Sequence, residues 1–399
     1  TPIDIATDFD IHVPQGYQWK PLVKWGQPLF SEAEGAYSPE TGVPVAMSDK
    51  VFGENTDGME LFVIEGKEVI VINSEYANPK INLPAASEGK PQSAEEVQLL
   101  KNIQGVTVME IANGASGYEV VVDSPFNRRI THDSPMTFDG PAAGSDLLKT
   151  AADPTGMAGL GTMNNCGSGR TLWGTYLTCE ENFNGYFGMV TEREQTAAEK
   201  RYGIGGESNY FYEKFDPRFD ISSEPNEPHR HGWVTEINPA DPASTPVKHT
   251  ALGRFKHENA EMVQAADGRI VVYMGDDERG EFIYKYVSNG TWAEGQPTEG
   301  LLSDGTLYVA KFNTDQTGEW LALTPETTGM SLEEILVFSR MAGSKVGATT
   351  MDRPEWIACH PARAEAYCAL TNNSRRGVKP NAGGDATPVE GPNPREANE

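Results

Sequence analysis

The stretch HENAEMVQAADGRIVVYMGDD, residues 257–277, carries two short apolar runs on either side of an Asp-Gly turn, Asp267-Gly268. Apolar runs of that length joined by such a turn predict a β-hairpin. ELFVIEGKEVIVINSEY (60–76) and EWIACHPARAEAYCALTNNS (355–374) have the same form, and NNCGSGRTLWGTYLTCEEN (164–182) fits it around a Gly-containing turn. Aligned on their turns, the four show a coarse internal repeat. A polar or acidic residue opens each and a polar cluster closes it: Asp57 to Glu75, Cys166 to Glu181, Glu258 to Asp277, and Glu355 to Asn373. A hairpin that turns near its midpoint brings its first and last residues to the same end of the sheet. Four such units around an axis would gather their polar ends at one mouth, which is the geometry of a β-propeller.

Any β protein places polar residues at strand ends, but a solvated surface mixes in Lys and Ser. Here the closing clusters NSEY, CEEN, DDER and NNSR are dominated by Glu, Asp and Asn, the oxygen ligands of hard cations. Like charges brought face to face without a cation would repel strongly. The segments between hairpins are long for four-stranded blades, so helices and loops are inserted. Three S/T-x-x-E capping boxes announce helices: Ser93 with Glu96, Thr191 with Glu194, and Ser331 with Glu334. The expected fold is all-β, a β-propeller with helical insertions.

Composition agrees. Gly 41 and Pro 27 favour a turn-rich chain, and 399 residues leave room for two domains or one large repeated architecture. A formal charge of -26 argues against a nucleic-acid or anionic-membrane partner, since phosphate backbones require concentrated Lys and Arg. There is neither a run of eighteen apolar residues nor a basic-then-apolar leader at Thr1, so the chain reads as soluble, without membrane insertion. The four cysteines suit an oxidising compartment, and no CxxC pair suggests a zinc ribbon.

Individual stretches sharpen the chemistry. Strand alternation puts Trp173, Leu177, Cys179 and Glu181 on one face, which makes Cys179 a small buried hydrophobe below a ligand position and leaves Glu180 undecided. Cys166 lies among Asn164, Asn165 and Gly167, a polar segment open to close approach by a metal; a Cys166–Cys179 disulfide stays open as the alternative. Cys359 and Cys368 flank a turn at nearly equal distances and could face each other. His257 and Glu258 point to opposite faces of a strand, so Glu258 takes the mouth and His257 is packing. Arg353 and Glu355 flank Pro354 at a hairpin entrance. They form a salt bridge there, or, beside cations, Arg353 completes an anion site with its planar fork.

FNRRITHDSPMTFDGPAAGSDLLKTAADPTG (126–156), NNCGSGRTLWGTYLTCEEN, FKHENAEM (255–262), YMGDDERGEFIYKYVS (273–288), MDRPEWIACHP (351–361) and LTNNSRR (370–376) resemble, in order, the motifs of the PhoX-type bacterial alkaline phosphatases. The resemblance runs from about FGENTDG to the end. It implies a six-bladed propeller, exported to the periplasm or beyond by the twin-arginine route, that hydrolyses phosphate monoesters with two irons, ferric, and three calciums. Carried over by motif, the cysteine ligand falls on Cys166, the carboxylate ligands on Glu181, Glu258, Asp277 and Glu355, with Glu75 a further candidate, and the phosphate-contacting arginine on Arg353. The family more often carries His where Ser74 stands. It also continues past NPREANE (393–399), so residues 1–399 are expected to form part of a propeller whose ring a further segment or second chain completes. Two rivals remain at this point. A calcium-only propeller hydrolase of the phytase, phosphodiesterase or lactonase type would lack iron, and a calcium-stabilised binding propeller would bind calcium without turning over any phosphate ester.

Overall fold

The structure, a computed structural model, describes residues 7–361 and 363–389. Its strands form four sheets. The first holds β1 (Thr56–Ile64), β2 (Lys67–Ser74), β3 (Gly105–Gly114), β4 (Gly117–Val120) and β5 (Arg128–Ile130), in the order β1-β2-β3-β4 with β5 also on β3. The second holds β6 (Pro135–Asp139), β7 (Ala158–Leu160), β8 (Asn165–Arg170), β9 (Tyr176–Glu180), β10 (Val234–Ile237) and β11 (Val247–His249), in the order β7-β6-β11-β10-β9-β8. The third is a meander of β12 (His257–Gln264), β13 (Arg269–Asp276), β14 (Ile283–Thr291), β15 (Gly305–Phe312) and β16 (Gly318–Ala322). The fourth pairs β17 (Pro354–Cys359) with β18 (Ala366–Leu370).

Each predicted hairpin is the inner edge of one sheet. Strand β8 packs against β1 on one side and β12 on the other, and β12 packs against β17. The sheets therefore stand as successive blades with β1, β8, β12 and β17 along a common axis. Apolar side chains fill the spaces between blades. Phe62, Val69, Val108, Met136 and Tyr176 join the first to the second; Leu177, Cys179, Val234, Ala260, Val272 and Met274 join the second to the third. A smaller group including Ile283, Met351 and Ile357 joins the third to the fourth. Each fully buried side chain of this kind contributes roughly 1.5–3 kcal/mol, so the blades are held chiefly by their faces.

The inner strands meet more closely than side chains allow. A Cβ on Gly167 would lie 1.9 Å from the Glu258 carbonyl oxygen, and one on Gly169 would lie 2.0 Å from that of Ala260. The Gly-Ser-Gly of 167–169 thus lets the second blade reach the axis.

Two of the three helix expectations hold. Ser93 caps Ala94–Asn102 by accepting from the Glu96 amide, and Ser331 with Glu334 forms a full capping box on Leu332–Val337. The third is corrected. The chain around Thr191 is irregular, with its amide on Ser222 Oγ; the helix is Ala197–Tyr202, boxed by Thr196 and Glu199. Arg193, gripping the Glu199 carboxylate through two nitrogens, favours the later start.

Register corrects the fourth hairpin. Pro354 pairs with Leu370, so the residue opposite Arg353 is Thr371, whose amide donates to the Arg353 carbonyl at 3.4 Å, and not Asn373. Asn373 instead donates to Asp352 at 2.7 Å. Cys359 pairs with Ala366 and Cys368 with Ile357, so these cysteines sit diagonally; all four cysteines are free thiols. No helix among the described residues is long and apolar enough to cross a membrane, and the 393–399 stretch lies outside the described residues.

Candidate metal centre

The same irregularity occurs at the start of every inner strand. Register shifts by a bulge between Thr56 and Met59, Asn165 and Ser168, His257 and Ala260, and Pro354 and Ile357. A bulge inserts a residue, bends the strand and re-aims a side chain. The residues inside these bulges are Asp57, Cys166, Glu258 and Glu355, the openers of the sequence repeat. Just before three of them the backbone turns left-handed, at Asn55 (φ 47), Asn164 (φ 47) and Arg353 (φ 52).

The closers are locked to the same place. The Glu75 amide donates to the Asn55 carbonyl at 2.9 Å, that of Glu181 to Asn164 at 2.9 Å, and that of Asp277 to Lys256 at 3.0 Å. Carbonyls freed by bulges find side-chain amides of the neighbouring blade. Asn73 Nδ2 donates to the carbonyls of Cys166 (2.7 Å) and Gly167 (2.9 Å), and Asn259 exchanges two 2.9 Å bonds with the backbone of Ile357. Ligand direction is thus set by backbone geometry that each blade repeats and its neighbour braces.

The result is a line of three overlapping triads: Asp57, Glu75, Cys166; Cys166, Glu181, Glu258; and Glu258, Asp277, Glu355. Within each triad one donor atom per residue lies within 4.8 Å of the others. Cys166 Sγ is 3.3 Å from Glu258 Oε1 and 3.6 Å from Asp57 Oδ2. Cys166, Glu181, Glu258 and Asp277 are buried; Asp57, Glu75 and Glu355 are half-buried.

Electrostatics show a site short of positive charge. Burial, then the charges of Asp57, Asp277 and Glu355, push Glu75 up to about 7. Burial and a shared hydrogen bond with Glu355 push Glu258 to about 10. Burial also raises Asp57, Asp277 and Glu181, and it raises the Cys166 thiol far above its ordinary value, aided by Glu258 and Glu181. Asp277 Oδ1 is buried with no hydrogen-bond partner among the described residues. Buried anions without partners are costly, and bound cations would supply what is missing. Six carboxylates suit hard cations; the thiolate suits a softer transition metal at the centre, where the triads meet.

Arg353 stands at the rim. Its guanidinium donates to Asp277 Oδ2 at 2.7 Å and lies 3.6 Å from Glu355 Oε1. All seven residues assigned from the sequence, Cys166, Glu181, Glu258, Asp277, Glu355, Glu75 and Arg353, therefore converge. Asp57 joins the first triad without having been singled out from the sequence as a candidate ligand, although it opens the first hairpin and Asp57-Gly58 occupies the bulge that Cys166-Gly167 occupies in the second. His257 packs, its ring stacked on Phe255 at 3.8 Å, and Cys179 is enclosed in the core.

A family model described as alkaline phosphatase PhoX matches residues 1–399, and the chain belongs to that family. Among solved structures, Pseudomonas fluorescens PhoX in complex with vanadate, a transition state analogue, is similar at 46% identity with a TM-score of 0.90, over 97% of this chain and 69% of that one. No curated protein matches the chain significantly.

Proposed function

We propose that this chain, as a PhoX-family member, is a metal-dependent alkaline phosphatase that releases inorganic phosphate from small-molecule phosphate monoesters. The observation that carries the reading is the set of overlapping triads with Arg353 at their rim. A solved relative of the same fold binds vanadate, which supports a phosphoryl site. The donor set fits a mixed cluster, and two ferric irons with three calciums are the assignment we favour, the irons nearest Cys166. Such ions, when bound, polarise phosphoryl oxygens and neutralise charge gathered during in-line displacement.

The protein's own part is positioning. The bulges hold the candidate ligands, and the thiol of Cys166 and the raised carboxyls of Glu258 and Glu181 would release their protons on holding cations. Arg353 keeps its charge in any protonation state of the site. Asp277 and Glu355 orient its fork across the mouth, where it would hold a non-bridging phosphoryl oxygen as charge develops.

Residues 1–399 are read as part of one propeller domain. Exposed apolar side chains on the free face of β1 (Met59, Leu61, Val63) and on the last described blade (Tyr367) support further blades, from a segment or a second chain, between them. Export to the periplasm or beyond, by the twin-arginine route, is proposed from the family.

Elemental analysis combined with an aryl-phosphate assay tests the function. Iron, calcium and turnover together are expected, and calcium without iron would favour the calcium-only hydrolase. Arg353→Ala should lower kcat by about 10²–10³-fold at unchanged metal content. A folded, metal-loaded Arg353→Ala protein with wild-type turnover would remove Arg353 from the mechanism.

A further inference from the structure

We propose that Arg340 is a positioning residue for the third triad, setting the direction of Asp277 from behind by gripping its chain neighbour Asp276; this rests on the metal-dependent phosphatase reading above. Arg340 stands on the helix Ser339–Val346, inserted between the third and fourth blades. Its guanidinium is buried and meets the Asp276 carboxylate edge to edge, Nε donating to Oδ2 at 2.7 Å and Nη2 to Oδ1 at 2.6 Å. A bidentate fork fixes both the place and the rotation of the carboxylate it holds. Asp276 ends β13 and pairs with His257, so it stands beside two ligand positions: Asp277 follows it in the chain, and Glu258 follows its partner. Successive side chains point to opposite sides of a strand. With Asp276 held towards the helix, Asp277 is turned towards the cluster.

The grip extends to the fourth blade. The turn after Asp276 is stitched to the segment before Arg353 by two bonds of 2.9 Å, the Gly280 amide on the Met351 carbonyl and the Met351 amide on that of Glu281. Glu281, also buried, is held through two nitrogens by Arg201 of the helix Ala197–Tyr202, an insertion of the second blade, and lies 3.9 Å from Arg340 Nε. Two arginines and two carboxylates thus interlock behind the mouth, brought there by the helical insertions. A buried ion pair is weak evidence for stability, because apolar residues of similar volume serve as well or better; what this one supplies is direction. Similar buried pairs stand one residue from other members of the site: Lys248 holds Glu180 beside Glu181, and Arg376 holds Asp352 beside Arg353. The clamp at Asp276 reaches all three members of the third triad, Asp277 along the chain, Glu258 through β12 and Glu355 through Met351.

The test titrates calcium alone into chelator-treated protein by calorimetry, and reads kcat and KM on an aryl phosphate after reloading. Arg340→Lys keeps the charge and loses the fork; it should weaken calcium binding and lower kcat, each about ten- to hundredfold, with KM within about twofold of wild type. The paired neutral variant, Arg340→Gln with Asp276→Asn, leaves neither partner as an unmatched charge and should show the same losses at a near-wild-type thermal midpoint. Lys101→Met removes a buried cation from Asp133 (2.9 Å) and Asp216 (3.0 Å), outside the triads. It should lower the thermal midpoint while calcium affinity and kcat stay at wild-type values. Wild-type calcium affinity and kcat in either folded Arg340 variant overturn the proposal, as does a loss shared equally by Lys101→Met. The underlying reading fails separately, if the wild-type protein binds no calcium or leaves the ester uncleaved after reloading.

Discussion

Glu180 and Glu181 are chain neighbours, both buried, and they live in opposite electrostatic worlds. Glu180 accepts the amides of Gly232 (2.8 Å) and Trp233 (3.0 Å) and pairs with Lys248 Nζ at 2.8 Å. Burial alone would raise it, yet Lys248 and His231 hold it down at about 2. Glu181 has Asn182 as its side-chain partner, and burial, with Asp277 and Glu75 nearby, drives it well above the usual range. The protein itself neutralises the first carboxylate and leaves the second to be neutralised by something it binds. What separates a structural acid from a ligand is the supply of internal partners, not depth.

The contrast breaks most sharply at Glu258, which, like Cys166, is shared by two triads. Glu258→Ala should lower kcat/KM by about 10³-fold and reduce bound metal, measured by elemental analysis beside the assay; full activity would show that the triads are not the reacting site. Next in size, Glu180→Gln and Glu181→Gln should diverge in chelator-treated protein followed by urea unfolding. Glu180→Gln leaves Lys248 unpaired in the interior and should cost about 3–5 kcal/mol. Glu181→Gln mimics the protonated form and should cost nothing or stabilise. Equal losses would erase the distinction.

The pH dependence carries the same opposition. A carboxyl raised in the fold binds its proton more tightly there than in the unfolded chain. Its stabilisation is therefore full below the unfolded value and lost as pH rises through the folded one. Metal-free protein should lose stability between about pH 4.5 and 7 through Glu75, and further towards about 10 through Glu258, while metal-loaded protein should not. His249, held between Asp139 (2.8 Å) and Glu236 (2.9 Å) and raised to about 9, contributes stability below pH 6.5 that fades through about 9. Because His249 lies outside the triads, its contribution should survive metal loading, and His249→Gln thermal melts at pH 6 and pH 10 would isolate it. The smallest effect is expected at the half-buried end of the line, where Asp57→Asn should lower activity about tenfold and spare stability.

Much of this was legible in linear order. Asp-Gly and Glu-Gly turns between apolar runs marked the hairpins, and the recurrence of polar or acidic openers marked the strand ends at which the structure places bulges. Register was less legible. LTNNSRR offers Asn372, Asn373 and Ser374 as closers, but pairing is fixed by turn length and bulge, which put Thr371 opposite Arg353. TEREQTAAEKRYG contains two successive capping boxes, and the contact of Arg193 with Glu199 favours the second.

By itself the sequence, through its resemblance to the family, singled out Cys166, Glu181, Glu258, Asp277, Glu355, Glu75 and Arg353, and it determined the repeated hairpins and the residue types at their ends. These follow from local rules of turns and alternation acting the same way in each blade. Only the tertiary structure decided which of two adjacent glutamates would have no ion-pair partner among the described residues, and that Asp57 stands with Glu75 and Cys166 in the first triad. The reason is physical: a carboxylate's charge state and role depend on which neighbours approach from other blades. Those neighbours, Lys248 at Glu180 and Arg353 at Asp277, are distant in sequence and meet their partners only when the sheets pack.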